Sequence, residues 1–322
     1  MARFPPGAHI YTLSSGEYTE ICTETMLDTP ILFLIFSRAD TTQRVFNRIR
    51  EIQPKKLYVA ADGPRAHKAG EAERCEQTRA IIRQVDWPCE VKTLFRTENL
   101  GCKQAIYQGI SWFFEQEEMG IILEDDCLPD LSFFPFCEEL LHRYKDDPRI
   151  GHIGGTVLVT DFLPANKSYD FCSITHIWGW ATWRRVWRNF DLNFPFWEQD
   201  KADRTSLFCN KREEIYCSSF IPDAIYNRHG LNTWDTLYYF SLRLQHQLSV
   251  YPAVNMVENI GLGDPNATHT NKHLRYIYKT EAISFPLQHP PHIMRNVRLE
   301  RKAAKRAFFS YKRLIRYILK WY

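Results

Sequence analysis

The stretch Ile31-Leu-Phe-Leu-Ile-Phe36 is a continuous apolar run, and the polar sequence Ser37-Arg38-Ala39-Asp40 follows it directly. A short apolar run of this kind predicts a strand buried on both faces of a sheet. The pattern of residues 41–51 predicts an amphipathic helix that ends before Pro54. The first predicted elements are therefore a buried strand and a helix, an order that is typical of layered α/β proteins.

The same alternation continues downstream. Strands are predicted at residues 57–61, 90–95 and 120–123, with helices at about 68–85 and 102–116 between them. Alternation at this spacing predicts an α/β fold with a mainly parallel central sheet, right-handed crossovers and helices on both faces. Ligands of such sheets bind at the carboxyl ends of the strands. We therefore expect the loops after the four strands to form one site.

The composition fits a folded globular protein. The chain has 322 residues, is 44% hydrophobic and 25% charged, and is long enough for two domains or one elaborated domain. These values exclude a largely disordered, collagen-like or coiled-coil chain. Nine cysteines without a Cys-x-x-Cys pair argue against a zinc ribbon, and residues 1–29 lack an apolar stretch of signal-peptide length. We expect a cytoplasmic protein with free thiols.

The net charge of +3 hides an uneven distribution. Residues 295–322 carry ten Lys or Arg and one acid, Glu300, so this tail has a charge of +9 and the remainder −6. The tail also contains regularly spaced apolar residues, and a basic amphipathic helix can bind an anionic membrane surface at the inner face. Packing of the same helix on the protein body is the alternative. No nucleic-acid partner is expected, because the body is acidic and carries no recognised motif.

Three adjacent carboxylates, Glu124-Asp125-Asp126, follow the fourth predicted strand. Such groups repel one another and are tolerated when a hard divalent cation lies between them. Mg²⁺ and Mn²⁺ prefer oxygen ligands and often bridge one or two carboxylates to substrate phosphates. A solvated approach to a helix at 131–144, capped by Asp130, is the alternative, and it leaves the triplet unexplained. Neither a P-loop nor a dinucleotide-binding glycine motif follows the first strand.

The ordered set of motifs resembles glycosyltransferases of the GT-A fold. More narrowly, it is similar to the family of Golgi N-acetylglucosaminyltransferases that initiate complex N-glycans, with their bacterial relatives. The matching segments are residues 31–38, 57–63, 99–112, 121–134, 178–187, 233–236 and 259–269. The resemblance covers about residues 29–270 and implies a nucleotide-sugar-binding half (29–130) and an acceptor half (131–270). An N-terminal extension (1–28) precedes them, and a segment with the basic tail (271–322) follows.

The resemblance implies three roles in nucleotide binding outside the triplet. Arg38 would face the base or the phosphates of a nucleotide diphosphate, for which its planar fork of donors is suited. Asp62, after the second strand, would accept the uracil imide proton. Lys103 would lie near the nucleotide, where the helix N-terminus adds partial positive charge.

Within the triplet, the resemblance separates three tasks. It assigns Glu124 to the donor sugar, Asp125 to the ribose hydroxyls and Asp126 to the divalent cation, Mn²⁺ or Mg²⁺. His269, in a Gly-rich polar loop similar to a segment that closes over the donor, would contact the pyrophosphate or complete the metal shell; simple solvation is the alternative for a lone loop histidine.

Tryptophans cluster in the predicted acceptor half. Residues 177–187 are predicted as a helix that places Trp180, Trp183 and Trp187 on one face. Core packing is expected for Trp183 and Trp187. Trp178, Gly179 and Trp180 are instead expected to bind substrate, because glycine admits a ligand close to the backbone and indole faces suit sugar rings.

Trp234-Asp235 opens a helix predicted at residues 237–247. In the related family a Trp-Asp segment here supplies the catalytic base, so the resemblance makes Asp235 the base and Trp234 a substrate-binding residue. The family often has a second Asp where this chain has Thr236. An acid favoured by the helix dipole is the alternative explanation of Asp235.

These features predict an inverting, metal-dependent transfer of a sugar from a UDP-sugar to a hydroxyl of a glycan or lipid-linked acceptor, such as lipopolysaccharide. A sugar nucleotidyltransferase is one alternative, although the loop after the first strand has no glycine. A non-catalytic protein that binds sugar nucleotides or glycans is the other.

Overall fold

The computed structural model describes residues 26–160, 162–262, 279–307 and 311–319. His269, most of the N-terminal extension and the end of the tail lie outside the described residues. The first half contains β1 (Ile31–Ile35), α1 (Ala39–Ile52), β2 (Lys56–Ala61), α2 (Glu71–Ala80), β3 (Glu90–Phe95), α3 (Cys102–Gln116), β4 (Met119–Glu124), β5 (Cys127–Pro129) and α4 (Phe133–Arg143). The predicted elements of this half are confirmed, except that the second helix is shorter and continues as a 3₁₀ turn, Ile81–Gln84.

The second half adds strands and helices to the same sheet and its surroundings. Its elements are β6 (Ile150–Gly154), β7 (Tyr169–Cys172), β8 (Trp180–Trp183), α5 (Arg184–Trp187), α6 (Phe196–Gln199), α7 (Lys211–Ile225), α8 (Asp235–Leu244), β9 (Leu248–Pro252), β10 (Val257–Asn259), α9 (Val297–Ala307) and α10 (Tyr311–Ile318). β5 and β10 form a separate antiparallel pair.

Eight strands form the central sheet in the order β3-β2-β1-β4-β8-β6-β9-β7. Six of them point the same way, and β8 and β7 run in the opposite direction. The chain moves outward from β1 to β3 and then crosses back to β4 on the other side of β1. With right-handed crossovers this reversal places α3 on the face opposite α1 and α2. The predicted fold class, α/β with a mainly parallel sheet between helices, is confirmed.

β1 and β4 lie side by side at this reversal of strand order, and open α/β sheets hold their ligands at such a point. Every residue of β1 is buried, as the apolar run predicts. α1 packs its apolar stripe, Val45, Phe46 and Ile49, into the core and leaves its polar side in solvent. Burial on both sides of the sheet fixes the strand ends, and therefore the loops that follow them.

The prediction of a helix over residues 177–187 is wrong. Trp180–Trp183 is strand β8, which pairs with β4 on one side and β6 on the other, and only the last turn, Arg184–Trp187, is helical. Trp180, Trp183 and Trp187 have the spacing of residues on one face of a helix, which explains the wrong prediction. The open edge of β4 decides the outcome, because its backbone donors and acceptors need a partner.

The tryptophans of this region form an aromatic core. Trp180 is fully buried and its ring centroid lies 5.1 Å from that of Tyr238, 5.9 Å from that of Trp234 and 6.4 Å from that of Trp187. Core packing is thus confirmed for Trp187 and for Trp183, whose indole nitrogen donates to the carbonyl oxygen of Leu141 at 3.1 Å. Trp180 shares this environment.

The first helix of the basic tail packs on the protein body. Leu299, Ala303 and Ala304 of α9 are buried, and the carboxylate of Glu300 accepts hydrogen bonds from the backbone and side chain of Ser173. α10 lies against α7, where the Tyr317 hydroxyl donates to Glu214 at 2.6 Å. No helix in the described part of the chain combines the length and apolar character needed to cross a bilayer.

Candidate active site

A cavity of about 470 Å³ opens at the carboxyl ends of β1, β2 and β4, within the size range of small-molecule sites. The loops after these strands, the start of α3, residues 232–235 and Asn259 line it. Charged side chains of both signs face it: Arg38, Asp62, Arg65, Lys68, Glu71, Arg74, Arg96, Glu124, Asp125, Asp126 and Asp235. The loops after the strands thus meet at one cavity, as the strand-end argument predicted, and Asp235, almost two hundred positions from Arg38 in the sequence, lines the same cavity.

Arg38 is the cation nearest to the acidic triplet. One guanidinium nitrogen, Nη2, donates to Asp125 Oδ1 and also to Asp126 Oδ2, the latter at 3.0 Å. Asp125 is held from the other side by the backbone N–H of Phe36, which donates to Oδ2 at 3.2 Å. The loop after β1 and the end of β4 are thereby joined through a buried ion pair.

Burial and mutual repulsion raise the pKa values of two acids of the triplet, Glu124 and Asp125. Burial, together with the charges of Asp126 and Asp125, raises the pKa of Glu124 to about 8. Burial also raises the pKa of Asp125 to about 6, although the charge of Arg38 opposes the shift. Asp235 contributes to the raised pKa of Glu124, so its carboxylate acts on the triplet across the cavity. A carboxyl group that keeps its proton near neutral pH can donate a hydrogen bond to a substrate oxygen.

Asp62 faces the cavity but is fully engaged by its own loop. Oδ1 accepts from the backbone N–H groups of Gly63 and Leu100, and Oδ2 accepts from the Gly101 N–H and the Asn99 side-chain amide, all at 2.9–3.0 Å. Each oxygen therefore has two donors already. The structure gives Asp62 the task of tying the β3–α3 loop to β2, which leaves it no free acceptor position for a uracil imide.

Lys103 does not reach the cavity. Its ammonium group is buried and donates to the carbonyl oxygens of Ala224 and Ile225 and to the side chain of Asn227, at 2.7, 3.0 and 3.3 Å. It thus caps the carboxyl end of α7, where unpaired carbonyl groups attract a cation. The side chain that was expected near the nucleotide thus points away from the cavity, toward α7.

Asp235 lies at the start of α8, facing the cavity. Its Oδ1 accepts from the Thr233 hydroxyl at 2.5 Å and from the Thr236 N–H at 2.7 Å. In the described part of the chain Oδ2 has no hydrogen-bond partner. Thr236, at the position where the related family often has an acid, therefore helps to orient Asp235 and leaves one of its oxygens available as a proton acceptor.

Of the residues expected on the acceptor side, Trp178 and Trp234 line the cavity. Trp234 is almost fully buried, so it contributes a wall and part of the aromatic core. Gly179 has a φ of +63° and packs on Val257, to which a Cβ would approach within 2.6 Å. Gly179 therefore allows the backbone to pack closely against Val257. Trp180 is fully buried in the core and does not line the cavity.

Gly261 covers the triplet from the side of β10. A Cβ at this position would lie 2.5 Å from Arg38 Nη1 and 2.5 Å from Asp126 Oδ2. The neighbouring Ile260 N–H donates to the Asp126 carbonyl oxygen at 2.8 Å. Sequence reasoning noted the glycines of this segment but assigned no role to Gly261; the close approach of its backbone to Arg38 appears only in the fold.

Asn232 and Cys102 were also missed. Asn232 accepts from the Lys103 N–H at 3.1 Å and so fixes residues 232–235 to the start of α3. Cys102 is an exposed residue that lines the cavity, and the surrounding protein, which partly desolvates its thiol, together with the charge of Glu124 raises the thiol pKa to about 12. A polar residue before a Trp-Asp pair and a cysteine beginning a helix are too common for sequence to single out.

The donor set of the triplet fits a hard divalent cation. Asp125 and Asp126 present oxygens that a single cationic nitrogen of Arg38 already bridges, so a positive charge is accommodated between them. Within the described ranges no three His, Cys, Asp or Glu side chains converge as a complete metal site. Magnesium-type ions need no such cage, since they are often held by one or two carboxylates with waters and substrate phosphates.

Comparison with solved structures finds partial similarities at low sequence identity. A mannosyltransferase from Pyrobaculum calidifontis in complex with GDP-Man and Mn²⁺ is 17% identical, with 49% of this chain and 45% of that chain covered and a TM-score of 0.34. A cytidylyltransferase from Leptospira borgpetersenii is 11% identical, with 64% and 74% covered and a TM-score of 0.31. 4-Diphosphocytidyl-2C-methyl-D-erythritol synthase from Anaerococcus prevotii is 10% identical, with 67% and 99% covered and a TM-score of 0.30.

No protein-family model matches the sequence, and no curated protein matches it. The chain aligns with less than half of the length of the mannosyltransferase. The chain has a mixed α/β fold with a cavity at the reversal of strand order.

Proposed function

We propose that the protein is a glycosyltransferase of the GT-A type, which moves a sugar from a nucleotide diphosphate, UDP in the first instance, to a hydroxyl of a glycan or lipid-linked acceptor. The observation that carries the proposal is that one cavity is lined by both the acidic triplet and Asp235. The triplet suits the cation and diphosphate of a donor. Asp235 offers an oxygen to an acceptor.

Different residues of the cavity would bind the diphosphate, the ribose, the donor sugar and the cation. Arg38 and the end of β4 would bind the diphosphate and ribose, and the carboxyl group of Glu124 would form a hydrogen bond with the donor sugar. Asp126, with Asp125 close by, would hold Mn²⁺ or Mg²⁺. When bound, such a cation neutralises the charge that grows on the departing diphosphate.

Asp235 would perform the proton transfer. Its Oδ2 would take the proton of the acceptor hydroxyl while that oxygen forms a bond to the anomeric carbon from the side opposite the diphosphate. The bond between the anomeric carbon and the diphosphate oxygen breaks in the same step, and the configuration is inverted. Trp178 lies at the cavity wall and would contact a sugar ring.

Calorimetry with UDP, with and without Mn²⁺, tests the binding part of the proposal, followed by donor hydrolysis across a panel of UDP- and GDP-sugars. Metal-dependent nucleotide binding and release of free sugar are expected. Failure to bind any nucleotide diphosphate would contradict the proposal. Pyrophosphate release from a nucleoside triphosphate and a sugar 1-phosphate would instead identify a nucleotidyltransferase.

The surface of α10 supports the anionic membrane as a partner. Ile315 and Ile318 are 55% and 67% exposed, Leu319 is exposed beside them, and the sequence of this segment is rich in Lys and Arg. Flotation of the full chain with vesicles of anionic lipid, against neutral vesicles and an Ile315→Glu/Ile318→Glu variant, tests this. Equal flotation of the variant would remove α10 from the membrane argument.

A further inference from the structure

We propose that Arg38 is an internal counter-ion that holds the cation position of the acidic triplet until a nucleoside diphosphate draws it away, so that metal and diphosphate bind cooperatively. The inference rests on the proposed function. It adds that the metal and the diphosphate favour each other's binding, and that Arg38 couples the two.

The geometry places one nitrogen where a metal would be needed. Nη2 of Arg38 donates to Asp125 Oδ1 and, at 3.0 Å, to Asp126 Oδ2. A divalent cation that used these two oxygens would occupy the same space. Within the described residues, these are the only ion pairs that the triplet makes, so Arg38 is its one paired cation there.

The backbone of Arg38 is fixed, whereas its side chain can turn. Its carbonyl oxygen accepts from the N–H of Thr42 at 3.0 Å and from the hydroxyl of the same residue at 2.7 Å. The side chain is 21% exposed, toward the cavity. Because the backbone of Gly261 lies close beside Nη1, the space that the described residues leave for the guanidinium is the cavity, where a ligand would bind.

The charges predict how the two ligands influence each other. A metal that enters alone must displace a guanidinium and leave it without an anion in a partly desolvated place, which opposes binding. A diphosphate supplies the displaced guanidinium with oxygens that match its fork of donors. Each ligand therefore lowers the cost of the other, and this coupling must be the same in both directions.

Titration with Mn²⁺, followed by the paramagnetic resonance signal of the free ion, measures this without turnover. For wild type we expect UDP to tighten Mn²⁺ binding on the order of tenfold, after correction for the complex that UDP and Mn²⁺ form in solution. Arg38→Gln should tighten Mn²⁺ binding on the order of tenfold without UDP and lose most of the coupling. Arg38→Lys keeps the charge but not the fork of donors, so its Mn²⁺ affinity without UDP should stay near that of wild type, while the coupling should fall only in part.

Arg96→Gln is the matched control for net charge. Arg96 lines the same cavity at the end of β3, two strands and about 10 Å from β1, and forms no ion pair among the described residues. Its loss should change Mn²⁺ affinity far less than Arg38→Gln does. Equal effects of the two variants, or weaker Mn²⁺ binding by Arg38→Gln, would overturn the inference. A wild type that binds neither UDP nor Mn²⁺ would contradict the proposed function itself.

Discussion

The ammonium nitrogen of Lys103 lies 2.7 Å from the carbonyl oxygen of Ala224, at the carboxyl end of α7. This contact joins α3, which begins at the cavity, to a helix from the second half of the chain. Lys103 is therefore a structural residue whose neighbours, Gly101 and Cys102, line the cavity. The contact with α7 therefore holds the start of α3 in place from the side away from the cavity.

Lys103→Met should lower the free energy of unfolding by about 2–3 kcal/mol, because it leaves buried carbonyl groups without a donor. Chemical denaturation measures the loss. Lys68→Met, at an exposed lysine of the cavity rim, is the control and should change stability by less than about 0.5 kcal/mol. A Lys103→Met variant of normal stability that no longer binds UDP would show that the ammonium group serves the nucleotide after all.

Asp235→Asn should reduce sugar transfer by about 10²–10⁴-fold, because an amide cannot take the acceptor proton. UDP affinity should stay within a few-fold of wild type, since the triplet and Arg38 are unchanged. Initial rates and calorimetry on the same preparation separate the two effects. A variant that retains most of its turnover would place the base elsewhere.

Gly261→Ala should weaken UDP binding in the presence of Mn²⁺, on the order of tenfold, because a Cβ would overlap Arg38 and Asp126 at 2.5 Å. Gly154→Ala is a suitable control, since a Cβ there would meet its nearest neighbours at an ordinary 3.5 Å. Calorimetry with both variants checks the prediction. Unaltered UDP affinity in Gly261→Ala would mean that metal and UDP binding do not need Asp126 in its observed position.

Alkylation of Cys102 should be slowed by UDP and Mn²⁺ together, because the thiol lines the cavity. The reaction is expected to be slow even without ligand, since the raised pKa leaves little thiolate at neutral pH. Mass spectrometry of maleimide-treated protein reports each cysteine separately. Cys209, exposed and outside the cavity lining, provides the internal reference; equal protection of both would point to a general change in the protein.

Protonation of the buried histidine His152 should destabilise the fold in acid. Burial lowers its pKa to about 3, and its Nε2 donates to the carbonyl oxygen of His176 at 3.0 Å. Between this value and the ordinary pKa of about 6.5 the unfolded chain binds the extra proton. Stability contributed by neutral His152 is thus present above pH 6.5 and is lost as the pH falls.

From pH 6.5 to 5, wild type should lose up to about 2 kcal/mol of unfolding free energy more than His152→Gln, which keeps a donor but does not titrate. Denaturant midpoints at several pH values give the comparison. Parallel pH profiles for the two proteins would assign the acid sensitivity to other groups.

The parts of the site that sequence predicted are those set by local pattern. Apolar runs and helical stripes gave β1 to β4 and α1 to α3, and the polar residues after the strands were placed at one edge because parallel strands end together. The triplet and Asp235 were found in this way and through family resemblance. Orientation within the site was not predicted, since the direction of Lys103 depends on α7, more than a hundred residues away.

By itself, the sequence determined the α/β class, the order of the strands along the chain and the concentration of carboxylates after β4, because each follows from periodicity or adjacency. Tertiary structure alone decided that Trp180–Trp183 is a strand, since the open edge of β4 needed a partner. It also decided that Asp62 is saturated by its own loop and that Arg38 bridges Asp125 and Asp126. Hydrogen bonds and ion pairs between distant segments form only after the backbone has brought them together, and no local pattern records them.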